Sequence, residues 1–423
     1  MNIMKAKKTF SANYFILLLL TSILVITACV KNDNESEWTQ WRGPARDGVS
    51  NEKDLLKTWP EDGPPLAWSA DMVGDGFSST VVKDGRVFTL GKTDTVEILT
   101  AFDLAGNLLW QKVTGRASKE KDWPQSRCTP TIFKDKIYTT TVFGDVACFD
   151  CETGEKVWAL QAHEKFEGKG YNIQTFGVAE SPLVFDDKMI LTPAGFQTTM
   201  VALDRLTGAV IWKSESLNDS ISFTSPRLMI RNNRKVIFTS TNKYDIFVDA
   251  KTGEIIQKFK HLSGIIPLPV GDGIYFTGEY RKVGSFCTWS PDLQNREIVW
   301  QDTVSATAMG GAVLFNEKII VPGQGKGLYC IDPGTGQVLS YNDEMNYCNL
   351  IVADGMLYSY EDRFGKLGLF TLNGTNLELV SSFRVAGGTG PRVAHLSVAN
   401  GLLFVRRGNV LMAYNIKNIS TVS

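Results

Sequence analysis

Histidine is nearly missing from this chain, with three in 423 residues. That leaves little room for a histidine-built metal centre. An excess of one charge sign is missing too: 44 Lys and Arg stand against 45 Asp and Glu. No long run of one sign occurs, so nothing points to a nucleic-acid surface. No two cysteines are adjacent. No Ser/His/Asp order, metal-ligand spacing or phosphate-cradling glycine loop stands out. After the first 30 residues no apolar run is long enough to span a bilayer. Glycine, by contrast, is abundant at 38 residues, and 43% of the chain is hydrophobic. Many tight turns around a large core fit that balance. The length allows two or three domains, or one closed all-β unit.

The N-terminus has the layout of an export signal. Lys5, Lys7 and Lys8 form a basic segment, followed by a short apolar stretch from Tyr14 to Ile26. That stretch is too short for a comfortable membrane span. It ends in "ITAC" at Cys29, which resembles a bacterial lipobox. On that reading 1–28 is a lipoprotein signal peptide and Cys29 the lipidated first residue of the mature chain. An acylated cysteine anchors stably because each buried methylene contributes about 0.8 kcal/mol. Residues 29–37 are a polar tether, and the acidic residues behind Cys29 are similar to lipoprotein export signals of Gram-negative groups.

The remainder repeats. "ACFDCETGEKVW" (147–158), "VALDRLTGAVIW" (201–212), "IFVDAKTGEIIQ" (246–257) and "YCIDPGTGQVLS" (329–340) are copies of one phrase, and "TAFDLAGNLLW" (100–110) is the same phrase one residue shorter. Gly154 to Gly374 spans five repeat intervals over 220 residues, an average of 44, a period that suits a four-stranded propeller blade. Between the copies lie apolar runs joined by turns such as "VKDGRVF", "VGDGIYF", "VADGMLY" and "VANGLLF". Asp-Gly and Asn-Gly there are favoured in two-residue hairpin turns, which need positive φ. Eight hairpins and eight such phrases predict an all-β, eight-bladed propeller over 64–423. The chain stops soon after Tyr414, one fourth strand short. "PPLAWSAD" (64–71) supplies it: Trp68 occupies the place of Trp110, Trp158, Trp212 and Trp300 in the other fourth strands. Leu66 to Ala70 should therefore pair with Val410 to Ile416 and close the ring, which removes an exposed sheet edge.

Together with "SPLV" (181–184), "SPRL" (225–228) and "WRGPARDG" (41–48), these phrases resemble the PQQ-like β-propeller family. The resemblance covers about 38–420. That family holds eight-bladed quinoprotein alcohol dehydrogenases and also non-catalytic lipoproteins of the BamB type, so it implies a fold more than an activity. It implies that Trp68, Trp110, Trp158, Trp212 and Trp300 dock between neighbouring blades. Gln257, Ser340 and Glu378 take that place in three blades, where looser junctions are expected.

A quinone enzyme would need cations for the cofactor's carboxylates, oxygen ligands for Ca²⁺ and a carboxylate base. The family's dehydrogenases also carry adjacent cysteines, and this chain has none. Cys148 and Cys151 form "CFDC", but the repeat register puts Ala101, Cys148, Ala202, Phe247, Cys287, Cys330 and Ala413 in one column. A small buried residue belongs there, and free Cys packs as one. Sequence leaves open a disulfide among Cys128, Cys148, Cys151, Cys287, Cys330 and Cys348.

First strands should line a central channel. Arg127, Glu180, Arg392 and His395 begin those strands and are candidates for a ligand or partner at its mouth. The long connection 160–180 adds Tyr171 and Asn172, and 111–126 carries Trp123; long loops on a rigid scaffold are where function tends to sit. "WTQWRGPARDGVS" (38–50) reads as part of a strap over 38–63 that leads from tether to closing strand. Its arginines would pair with a carboxylate or cap backbone carbonyls. In the sharper alternative Arg42 and Asp47 reach the channel mouth and recognise a ligand.

The expectation is a non-catalytic, lipid-anchored envelope propeller of a Gram-negative bacterium, similar to BamB-like proteins. Its partners would be envelope proteins or glycans and, through Cys29, the membrane. It would bind no nucleic acid, hold no metal or cofactor, and act as a monomer. The alternatives are a glycan- or small-ligand-binding propeller, or a dehydrogenase using PQQ with calcium.

Overall fold

The computed structural model describes residues 37–118, 126–169, 177–262, 266–278, 283–305, 310–323 and 327–418. Cys29, Trp123, Tyr171 and Asn172 lie outside them. The described chain is almost entirely β, with a single helical turn at Ala162–Lys165. Eight antiparallel sheets of four strands follow one another as blades. Blade 1 consists of Val81–Lys83, Arg86–Lys92, Val96–Asp103 and Leu108–Arg116. Blades 2 to 8 open with Thr131–Phe133, Leu183–Phe185, Arg227–Arg231, Leu268–Val270, Val313–Phe315, Cys348–Ala353 and Ser397–Ala399. The first strands are innermost.

The ring closes as the repeat arithmetic requires. Leu66–Ala70 is the fourth strand of blade 8 and pairs antiparallel with Val410–Asn415, placing Trp68 opposite Ala413. Ala101, Cys148, Ala202, Cys330 and Ala413 are fully buried opposite Trp110, Trp158, Trp212, Ser340 and Trp68. In blade 5 the place expected for Cys287 belongs to Phe286, opposite Trp300, and Cys287, one residue on, faces the other side of the sheet. In that column neighbouring blades press together; Phe247 and Phe286 hold the same place in blades 4 and 5, so it takes a large ring as well as a small side chain. The six described cysteines are free. Cys148 packs in the core shared with blade 3 and Cys151 against the one shared with blade 1, and burial pushes both thiols up to about 12; "CFDC" therefore packs as two separate apolar groups.

The repeated phrase is a docking device. Asp150 Oδ1 accepts hydrogen bonds from the Glu152 and Thr153 amides and from the Thr153 hydroxyl, at 2.9–3.0 Å. Asp204, Asp249 and Asp332 hold their turns in the same way. The glycine that follows adopts positive φ and lies flat under the tryptophan of the preceding blade. A Cβ at Gly154 would come within 2.6 Å of Trp110, and one at Gly336 within 2.6 Å of Trp300. Each indole N–H donates to a carbonyl of that same turn: Trp68 to Leu104, Trp110 to Glu152, Trp158 to Arg205, Trp212 to Ala250 and Trp300 to Pro333, at 2.9–3.3 Å. In all eight blades the register between third and fourth strands slips next to this position. Such a bulge re-aims one side chain, here toward the next blade.

Where the tryptophan is replaced, other groups hold the junction. Gln257 bonds Gln294 at 3.0 Å, and Trp289 packs among Phe238, Phe247, Phe259 and Phe276 nearby. Leu293 stands where the glycine would be. Ser340 donates to the Thr375 carbonyl, and a Cβ at Gly374 beside it would meet nothing within 4 Å. At the junction of blades 7 and 8 the tryptophan's place falls to Ser381, opposite Leu369, and not to Glu378, which pairs with Thr371; there the strap's Trp59 packs on Tyr358 and Phe383.

Candidate functional site: a channel plugged by the chain itself

The strap lies over the face that carries the hairpin turns and sends its tip down the channel. Trp38 is fully buried and exchanges backbone hydrogen bonds with Val82 of blade 1, at 2.8 and 3.0 Å. The Thr39 carbonyl accepts from Ile132 of blade 2. Val49–Ser50 adds a parallel strand beside Val352 and Ala353 of blade 7. Glu52 accepts from the amides of Asn400 and Gly401 in the blade 8 turn, at 2.6 and 2.9 Å. Inner first strands leave their channel-side backbone groups unpaired, and a strand-like strap satisfies them.

Between these anchors the arginines reach inward. Arg42 is 1% exposed; its guanidinium donates to the carbonyls of Gly310 (2.8 Å), Ala312 (2.6 Å) and Asp47 (3.0 Å). Arg46 is 3% exposed and donates to Gln40 Oε1, to the carbonyls of Ser181 and Pro226, and to that of Pro182. Arg227 returns the contact by donating to the carbonyls of Ala45 and Arg46. Burial lowers Arg42 to about 10 and Arg46 to about 9, so both stay charged at neutral pH. Of the two roles open to these arginines, carbonyl capping is the one they fill, and both bind backbone that starts a blade. Asp47 Oδ1 accepts from the Val49 amide at 3.0 Å and shapes the turn. Gly48 has φ 84°, and a Cβ there would meet the Arg42 guanidinium at 2.9 Å.

The candidate residues do not form one cluster. His395 is 8% exposed and meets Trp41 edge-on, with ring centroids 5.7 Å apart. Arg127 lies over the Phe77 ring at 5.8 Å, and burial lowers it to about 10. Glu180 accepts from the Thr192 amide at 3.0 Å; burial pushes it up to about 7, with the Arg46 charge opposing. Arg392 stands apart, bonded to the Arg363 carbonyl at 3.0 Å. At the start of the third strand of blade 1, Glu97 is fully buried. It accepts from the Ser126 hydroxyl (2.6 Å) and the Val142 amide (2.7 Å), and burial pushes it up to about 7. Its signal in the sequence is a carboxylate in an otherwise apolar strand, "VEILTAF". Arg406, also buried, ties blade 8 to blade 1 through Thr89 Oγ1 and the Gly74 carbonyl. Among the described residues no three His, Cys, Asp or Glu side chains gather as ligands for a cation.

Comparison with known proteins agrees with this architecture. Residues 94–338, more than half of the chain, match the family described as outer membrane protein assembly factor BamB, a PQQ-type repeat family. No curated protein matches the sequence. Among solved structures, BamB from Moraxella catarrhalis is similar at 14% identity and a TM-score of 0.58, covering 83% of this chain and 97% of that one. A europium-containing methanol dehydrogenase is similar at 10% identity and 0.52, covering 89% and 91%. The computationally designed Ika8 protein is similar at 12% identity and 0.54, covering 85% and 99%. At such identities these likenesses speak for the fold alone. Repeat phrase, blade count and matched family together make this chain a member of the PQQ-like β-propeller family to which BamB belongs.

Proposed function

We propose that this chain is a Gram-negative envelope lipoprotein, anchored through Cys29, whose propeller docks other envelope proteins and catalyses no reaction. The observation that carries this reading is the plug. Arg42 and Arg46 commit their donors to carbonyls of Ser181, Pro226, Gly310 and Ala312, so the chain's own backbone takes the channel cations that a central ligand would need. Membership of the BamB family supports it as well.

A PQQ site is the alternative that the fold itself raises. It would draw on cations for three carboxylates, oxygen ligands for Ca²⁺ and a base. At the plugged mouth the cations are engaged, and no cluster of cation ligands occurs among the described residues. The residues present there do not fit that cofactor, and no catalytic step is derived through it.

The test is a titration of the Cys29→Ser chain with micromolar PQQ and Ca²⁺, followed by dye-linked alcohol oxidation. No stoichiometric binding and no turnover is the expected result; tight binding with turnover overturns the scaffold reading. Mass spectrometry of the wild-type N-terminus checks the lipid on Cys29 separately.

A further inference from the structure

On the face opposite the strap, blades 7 and 8 carry two arginines that meet no carboxylate. Arg392 donates to the carbonyls of Arg363 (3.0 Å) and Asp362 (3.5 Å), and Arg407 to those of Gly387 and Gly390 (both 3.2 Å). Neither forms an ion pair among the described residues, unlike Arg116 with Asp145, Arg234 with Asp249 and Arg296 with Asp245. The nearby acids are otherwise occupied or sunk: Glu361 accepts from the Asn346 amide, Glu344 pairs with Lys366, and burial holds the Asp362 carboxyl up. Two neighbouring guanidiniums without a counter-charge repel each other, and burial together with Arg392 holds Arg407 below its ordinary value. Such an arrangement is stabilised when an anion arrives.

Three further features sit around this pair. Tyr360 is fully buried, its hydroxyl makes no hydrogen bond, and the charges nearest to it are those of Arg392 and Arg407. The Arg392 Nε is buried and also unpartnered. The connecting loop "GGTGPR" (387–392) carries Gly387, Gly388 and Gly390 at φ 93°, 70° and 75°, and nothing lies within 4 Å of where a Gly390 Cβ would be. Phe364 directly follows Arg363, whose carbonyl Arg392 holds, and is 51% exposed. A ring face open to solvent beside paired cations suits a ligand with an oxyanion and an apolar face side by side.

We propose that Arg392, Arg407 and Phe364 form a binding site for an acidic saccharide: the arginines take its carboxylate or sulfate, and Phe364 takes the face of its ring. This does not depend on the scaffold reading, because Arg392, Arg407 and Phe364 make none of the plug's hydrogen bonds and the site would operate whether or not the propeller also docks proteins.

Calorimetric titration of the full mature chain carrying Cys29→Ser tests it. The probes are an oligogalacturonate, a dextran oligomer of equal length, and inorganic phosphate. The oligogalacturonate should bind, the dextran should not, and affinity should fall with added salt. Arg392→Gln and Arg407→Gln should each weaken binding about tenfold or more. Phe364→Ala should weaken it as well, with the melting temperature of each variant unchanged. Absence of oligogalacturonate binding, equal binding of dextran, or indifference to both arginine variants overturns the site. Phosphate binding as tight as the oligogalacturonate, with Phe364→Ala silent, overturns the saccharide and leaves a simple oxyanion site.

Discussion

Replacing Arg46 with alanine would show whether the strap is a structural member or a decoration. The side chain donates to carbonyls of Ser181, Pro182 and Pro226, which belong to blades 3 and 4, and to Gln40 within the strap. A buried acceptor left without a donor costs about 1–3 kcal/mol. Three such acceptors would cost more than that, but water enters the space an arginine vacates and recovers part of it. Removing Arg46 also relieves the burial of a charge, which its lowered pKa of about 9 reflects. The net expectation is a loss of about 3 kcal/mol, in line with breaking a buried charged contact. Arg42→Ala should cost a similar amount, since its donors serve Gly310 and Ala312. Both arginines hang on one strap, so either loss releases it, and the double variant should cost clearly less than the sum. Equilibrium urea unfolding of the Cys29→Ser chain reads this as a fall in midpoint at constant slope. A loss under about 1 kcal/mol, or strict additivity of the two, would refute the view that residues 38–50 are one structural plug.

The docking device predicts a contrast between glycines. Gly336→Ala combines positive φ with a clash on Trp300 and should be far more destabilising than Gly374→Ala, which meets open space; thermal melts of both variants decide it. Trp300→Ala, at 8% exposure, should cost about 3–5 kcal/mol, measured by the same unfolding curves. Stability should also fall as pH rises from about 4.3 to 7. Burial pushes Glu97 and Glu180 up to about 7, so between the unfolded value near 4.3 and that point the folded chain holds protons that the unfolded chain has released. Each group can account for up to about 3 kcal/mol, and Glu97→Gln with Glu180→Gln should flatten the dependence of the urea midpoint between pH 5 and 7. Deleting residues 64–71 should open the ring at Val410–Asn415 and replace one cooperative transition with a broad or aggregating one.

Much of this molecule was legible because it repeats. A phrase recurring on average every 44 residues carries its own turn chemistry, its own buried column and, in five blades, its own tryptophan. The missing eighth strand followed from counting, and Trp68 identified where it lies. Local rules sufficed for these elements because each blade contacts chiefly its neighbours. The cysteine column was legible in part for the same reason: register placed Cys148 and Cys330 where alanine also serves, but the bulge in blade 5 gives that place to Phe286 rather than Cys287.

What lies on the ring axis was decided only by the tertiary structure. "WRGPARDG" has no repeat partner, so no register tells where Arg42 and Arg46 point. Their carbonyl acceptors are 135 to 270 positions away in the chain, on blades that meet only when the ring closes. The raised pKa values of Glu97 and Glu180 arise from burial, which no local window contains. Arg392 and Arg407 become a pair only because blades 7 and 8 are adjacent at that face. The sequence by itself determined the blades and their closure, through local hydrogen bonding and packing repeated eight times. The plug, the buried acids and the arginine pair depend on side chains from distant segments sharing one low-dielectric space, and that proximity exists only in the folded ring.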